Sequence, residues 1–312
     1  LPMDDSWALK HRQTALLQAF LPMDDYWPIR NRQTTLRYPV WCCGVAVHSG
    51  VASRVELHPA EADSGIVFHS MQQNGEYTAI PANIDSVKYG DCRTVLAAGN
   101  SEIGTTEHLL AAISALGIDN CIIKVWGSEL PIFDGSASDW LFLLRCAGKV
   151  QLNQAKCYIQ VLRTITVENK QAWCQLEPDP VFSLSYQLDY PHPKIGKQEF
   201  ACELTSEFFE QNLARARTFG FIKDLDMLKQ RKLAIGAGLE NTVVFGSERV
   251  VNHGGLIWQD EPVRHKIVDA IGDLRLVGAT LRGRFTGFKS GHALNHRLVK
   301  KLLSDSRNWC WG

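Results

Sequence analysis

No Cys-x-x-Cys spacing occurs in the 312 residues, and the nine cysteines are scattered apart from the adjacent pair Cys42-Cys43. Thiolate zinc sites and thioredoxin-like redox motifs need that spacing, and neighbouring cysteines rarely pair with each other, so reduced thiols are expected. An excess of charge of one sign is also lacking. Lys plus Arg number 33, Asp plus Glu number 33, and the formal net charge at pH 7 is +0. A chain that grips nucleic acid or an anionic surface through its overall field carries a basic excess, so neither partner is expected. Long apolar runs are missing. The stretch 140–144 falls far short of the ~20 residues that cross a bilayer, and no stable membrane insertion is expected. The opening residues Leu1-Pro2-Met3-Asp4-Asp5 are acidic where a secretory signal would be basic. With the free thiols, this points to a cytoplasmic protein.

What is present is an ordinary folded composition, 45% hydrophobic and 21% charged, in a chain long enough for two medium domains. Leu1-Pro2-Met3-Asp4-Asp5-Ser6-Trp7 returns as Leu21-Pro22-Met23-Asp24-Asp25-Tyr26-Trp27. Two copies are too few for a solenoid, so residues 1–31 read as a duplicated leader that packs poorly. Beyond it, short strand-like runs (54–58, 65–68, 121–126) are interleaved with helices expected over 106–116 and 138–146. Thr106 reads as an N-cap and Gly117 as a stop. Residues 148–155 read as a linker. Strands near 158–167, 172–176 and 182–188 follow, then helices near 206–216 and 224–231. A strand near 241–245, the helix containing 264–273, a strand at 284–288 and a last helix at 292–303 complete the order. Strands and then helices, twice over, argue for an α+β protein of two domains, 32–150 and 151–306.

Arg264-His265-Lys266-Ile267-Val268-Asp269-Ala270-Ile271-Gly272-Asp273 carries the densest chemistry. At about 100° per residue, Ile267, Ile271 and Leu274 share one arc, and His265 and Asp269 lie opposite, one turn apart. A His and an Asp at i and i+4 can grip one metal ion, although such a pair is more often a plain hydrogen bond. In Thr105-Thr106-Glu107-His108, adjacent helix positions diverge, so Glu107 and His108 cannot both be ligands from one direction. His108 could join His265 and Asp269 as the third protein ligand of a catalytic metal while Glu107 acts as base toward an attacking water. The alternative is a capping-region Glu beside a satisfied His. In Ser290-Gly291-His292-Ala293-Leu294-Asn295-His296, His292 opens a helix whose dipole disfavours its proton. A carboxylate such as Asp273 would offset that and keep His292 an acid, with His296 as its rival.

Six segments in register resemble one family. They are Gly44-Val45-Ala46-Val47-His48-Ser49-Gly50, Thr105-Thr106-Glu107-His108-Leu109-Leu110, Glu129-Leu130-Pro131-Ile132-Phe133-Asp134-Gly135-Ser136-Ala137, Ala216-Arg217-Thr218-Phe219-Gly220-Phe221, residues 264–274, and Ser290-Gly291-His292-Ala293-Leu294-Asn295. Over 32–304 the chain is similar to UDP-3-O-acyl-N-acetylglucosamine deacetylases, the zinc amidases that commit the lipid A pathway of Gram-negative bacteria. The resemblance implies Zn2+ held by His108, His265 and Asp269, and Glu107 as general base. It implies His292 as the cationic acid oriented by Asp273, and Thr218 as an oxyanion donor. Lys266 would contact the nucleotide end of the substrate, and Phe219 would line the path for sugar or acyl chain. It implies a two-domain sandwich, each domain a mixed sheet with two helices, the helices packed between the domains. An acyl-chain passage would be inserted near 221–250. The expected partner is the small-molecule substrate UDP-3-O-acyl-N-acetylglucosamine, with the chain acting as a monomer. Two segments depart from the family pattern: Val45-Ala46-Val47, where a second glycine is usual, and Gly236-Ala237-Gly238-Leu239-Glu240-Asn241, where Gly-Gly-Ser-Leu-Asp-Asn is more usual. Two competing readings stand beside it: a metal amidase for another N-acylated sugar or sugar nucleotide, and a non-catalytic chain, either an inactive homologue that binds sugar nucleotide or a partner protein. Intact Glu107 and His292 weigh against the second.

Overall fold

The computed structural model describes residues 32–312. The duplicated leader lies outside the described residues. The first half is built on a five-stranded sheet in the order Val40–Val45, Ala52–His58, Cys121–Trp126, Ile66–Met71, Tyr77–Pro81. Only the pairing of Ile66–Met71 with Cys121–Trp126 is parallel, so the sheet is mixed. Alternation sets its inner face. Val55 and Leu57 on one strand and Cys121, Ile123 and Val125 on the next are fully buried, while their neighbours face outward. Two helices cover that face, α1 (Glu107–Leu116) and α2 (Ser138–Ala147). Gly117 closes α1 in the left-handed region at φ 65°, where its N–H reaches back to Ile113 and Ser114. Thr106 precedes the helix, but its side chain caps nothing, because its own backbone is already helical.

The second half is a seven-stranded mixed sheet organised around Thr280–Phe288. That strand pairs parallel with Tyr158–Val161 and Phe182–Tyr190 and antiparallel with Ala172–Glu177. Its helices are α3 (Ser206–Asn212), α4 (Leu225–Gln230), α5 (Glu261–Leu274) and α6 (His292–Leu303). Helix α5 packs along α1 of the first half, with α6 and the strand Phe182–Tyr190 on its other sides. The molecule is therefore an α+β sandwich with helices between two sheets, as expected. Ile267, Ile271 and Leu274 are at most 1% exposed. Burying a side chain of that kind contributes about 1.5–3 kcal/mol.

Four local expectations need correction. Residues 149–155 are not a linker but a strand, Lys149–Ala155, paired antiparallel with Arg32–Leu36. Its polar sequence hides this, because it is an edge ribbon with almost no face to bury. The expected single strand over 158–167 breaks into Tyr158–Val161 and Ile165–Asn169. The strand Gly196–Glu203 leaves little trace in the sequence, since only Phe200 and Cys202 mark its inner face among charged residues. Helix α3 stops at Asn212 rather than 216, because Ala216 and Arg217 are drawn into tertiary bonds described below.

The polar half of α5 is also not a solvated face. His265, Asp269 and Asp273 are each at most 4% exposed. The two helices approach so closely that a Cβ on Gly272 would sit 2.0 Å from the backbone oxygen of Glu107. Only glycine allows α5 to lie there.

Candidate metal centre and active site

Three side chains converge where α1 meets α5. His108 comes from the first turn of α1, and His265 and Asp269 from successive turns of α5. One ligand atom from each lies within 4.8 Å of the others, and all three residues are buried. His108 Nε2 stands 3.5 Å from Asp269 Oδ1, and His265 Nε2 stands 3.3 Å from the same oxygen. His265 Nδ1 donates to the Ala216 carbonyl at 2.9 Å, which leaves its Nε2 lone pair facing the cluster. Burial pushes the His265 pKa down to about 3, so the ring is neutral, as a ligand must be. Asp269 is its opposite. Burial opposes its ionisation, but nearby positive charge, that of Lys266 included, outweighs that and holds it well below the ordinary range. Two imidazoles and one carboxylate match the three-ligand set of a catalytic divalent metal site with room for more. The residues fit such an ion.

Two further groups flank the cluster from opposite halves of the molecule. Glu107 is buried; burial raises its pKa, with His292 and His108 pulling the other way. His292 Nε2 lies 3.9 Å from Glu107 Oε1, and its Nδ1 lies 2.9 Å from Asp273 Oδ2. Burial alone would strip the His292 proton. The charge and hydrogen bond of Asp273, then Asp269 and Glu107, raise its pKa instead to about 9. The site thus holds a carboxylate of raised proton affinity beside an imidazolium. Such a pair can take a proton at one place and give one at another.

The folded-state value of His292 lies above the ordinary 6.5. The pair therefore stabilises the fold fully below about pH 6.5, and that contribution is lost as pH rises through about 9. Asp273→Asn should bring the His292 pKa down toward 6.5, read by NMR titration of the ring in metal-free protein. A value still near 9 would assign the shift to other anions.

Thr218, Phe219 and Lys266 all line the cleft above the cluster, which has a volume of about 630 Å³. Residues 221–242 supply more of its wall, Phe221, Leu228 and Ala237 among them. Thr218 is set by its neighbour. Arg217 bonds Glu261 through its backbone N–H and its guanidinium, the latter at 2.8 and 3.1 Å, pinning the segment against the start of α5. Lys266 is less free than expected. Its Nζ donates to Asp269 Oδ2 at 2.9 Å and lies 5.8 Å from the Phe219 ring centre. The two departing segments meet each other. Ile235 and Gly236 donate to the carbonyls of His48 and Val47, and a Cβ on Gly236 would lie 2.3 Å from the Ala46 oxygen.

Several participants escaped the sequence. Asp273 is held by more than His292. Asn295 Nδ2 donates to Oδ2 at 2.8 Å, Thr94 Oγ1 to Oδ1 at 2.5 Å, and His296 Nε2 lies 3.3 Å from Oδ1. His296, weighed as a rival for Asp273, shares the carboxylate with His292. Glu129 accepts from the backbone N–H groups of His48 and Ser49 and from Thr105 Oγ1, each at 2.9 Å. Thr105 holds a left-handed backbone at φ 57° immediately before α1. Glu129 sits within a matched segment; a carboxylate beside Leu130-Pro131 in an apolar run was the available signal. Thr94 offered none.

The family profile of UDP-3-O-acyl N-acetylglycosamine deacetylase matches residues 33–304. The chain belongs to the LpxC family. Among similar relatives is the UDP-3-O-acyl-N-acetylglucosamine deacetylase of Thioalkalivibrio sulfidiphilus, 42% identical over 281 residues, covering 88% of this chain and 91% of the relative. Deacetylases of the same description from Psychrobacter cryohalolentis and Psychrobacter arcticus are each 40% identical over 277 residues, with 88% of this chain and 86% of each relative covered. The match spans both halves, so the LpxC sandwich and its interhelical cluster belong to one continuous unit.

Proposed function

We propose that this LpxC-family chain hydrolyses the N-acetyl group of UDP-3-O-acyl-N-acetylglucosamine, releasing acetate and committing the sugar to lipid A synthesis. The observation that carries this reading is the convergence of His108, His265 and Asp269 with a base and a protonated imidazole beside them. We read the ion as Zn2+, which when bound at this donor set would lower the pKa of water and polarise a carbonyl. Glu107 takes a proton from the attacking water as oxygen adds to the acetyl carbon. The Thr218 hydroxyl and the His292 N–H donate to the oxygen that gains charge; losing one such donor costs about 100- to 1000-fold. As the carbon–nitrogen bond breaks, His292 gives its proton to the departing glucosamine nitrogen. Asp273 holds that imidazole in place and keeps it charged until then. Lys266 engages the nucleotide end, Phe219 borders the sugar, and residues 221–250 guide the acyl chain. Domains at 32–150 and 151–306, monomeric action and a cytoplasmic location belong to the same reading. Among the described residues, no helix is long and apolar enough to cross a membrane.

Acetate release is assayed with metal-replete protein on the UDP-linked acyl sugar, with the unacylated sugar nucleotide as control. The acylated substrate should react far faster. Asp269→Ala should lose both metal, measured by elemental analysis, and activity. Full activity without bound metal in that variant would defeat the mechanism.

A further inference from the structure

Thr94 is completely buried and lies just before the strand Val95–Ala98 in the first half of the molecule. Its backbone N–H donates to Glu107 Oε2 at 3.1 Å. Its hydroxyl donates to Asp273 Oδ1 at 2.5 Å. The hydroxyl has one proton, so the His296 Nε2 contact at 3.0 Å is a bond it accepts. One residue thus touches the carboxylate proposed as base and the carboxylate that holds the proposed acid. Glu107 belongs to α1 and Asp273 to α5, on opposite sides of the interface.

We propose that Thr94 is a positioning residue that fixes the separation between Glu107 and the Asp273–His292 pair. Asp273 accepts from His292 and Asn295 on one oxygen and from Thr94 on the other, with His296 close to that second oxygen. Without the Thr94 hydroxyl, that oxygen loses its shortest donor, and the carboxylate can rotate toward His296. His292 then leaves its line to the leaving nitrogen. The backbone bond to Glu107 survives any side-chain change, so the hydroxyl can be tested separately from the base. A misplacement of about 1 Å at such a site costs about 100-fold, and loss of a group that orients a ligand or acid costs about 10- to 100-fold.

The inference rests on the deacetylase reading, and the experiment separates the two. Metal-replete wild type, Thr94→Val, Thr94→Ser, Asp273→Ala and the Thr94→Val/Asp273→Ala double variant are compared for kcat, KM, metal content and melting midpoint. The expected result is a kcat about 10- to 100-fold lower in Thr94→Val, with KM within about twofold and metal retained. Thr94→Ser should restore most of that loss. In the Asp273→Ala background, Thr94→Val should cost nothing further, because the hydroxyl acts through the missing carboxylate. Where Thr94→Val does not accumulate as folded protein, the same cycle is run with Thr94→Ala. Wild-type kcat in Thr94→Val, a loss of equal size in both backgrounds, or a loss that serine does not recover overturns the proposal. An active wild type with any of those outcomes overturns this inference alone; an inactive wild type overturns the deacetylase reading with it.

Discussion

Glu107→Gln is expected to lower kcat by about 100- to 10,000-fold, the range typical of losing a general base, with bound metal unchanged. Glu107 is not one of the three residues whose ligand atoms converge there. Glutamine keeps its length, and its carbonyl oxygen can still accept the Thr94 N–H that Glu107 Oε2 accepts now. What it cannot do is take a proton. Burial raises the proton affinity of Glu107 above its ordinary value, the direction that favours a base. The measurement is turnover against metal stoichiometry in the same preparation. Turnover within tenfold of wild type at full metal content would remove Glu107 from the role.

Gly272→Ala is expected to destabilise the fold and slow turnover together. At an open helical position this change stabilises, because glycine costs about 1 kcal/mol relative to alanine. Here the added carbon would lie 2.0 Å from the Glu107 oxygen, 2.7 Å from its carbonyl carbon and 2.9 Å from its Cα. Those are backbone atoms with no rotamer to move into. Forcing extra volume into a packed core costs about 1–3 kcal/mol, occasionally more, and the strain falls on the residue before His108. Helices α1 and α5 must separate, carrying Glu107 and His108 away from His265 and Asp269. The expected result is a lower urea midpoint and a kcat reduced by about 100-fold. A variant as stable and as active as wild type would mean that the helices can part without consequence.

Helix α5 was well legible in the sequence because two constraints overlap there. Ile267, Ile271 and Leu274 announce the period, and His265 and Asp269 repeat at the same interval on the other side. It could not announce that both sides are buried, since that depends on α1 arriving from the other half. His108 and Glu107 were legible as a motif, but their meeting with α5 rests on a glycine that looks unremarkable in the chain. Thr94 was invisible for the same reason. Its partners are 13 and 179 residues away, and nothing in Arg93-Thr94-Val95 records them. The ribbon 149–155 misled because edge strands with polar faces lack the alternation by which strands are recognised.

That ribbon has a mechanical consequence. Lys149–Ala155 is tied to Arg32–Leu36, which the first half secures by the Ala60 N–H donating to the Thr35 hydroxyl and the Thr34 N–H donating to Asp119. Only Lys156 and Cys157 stand between it and the first strand of the second sheet, and Lys156 is itself clamped to Asp119 at 2.9 Å. A free tether there would let the two halves swing like a jaw. A stapled one opposes that swing and adds to the packing of α1 on α5 in holding the two halves together.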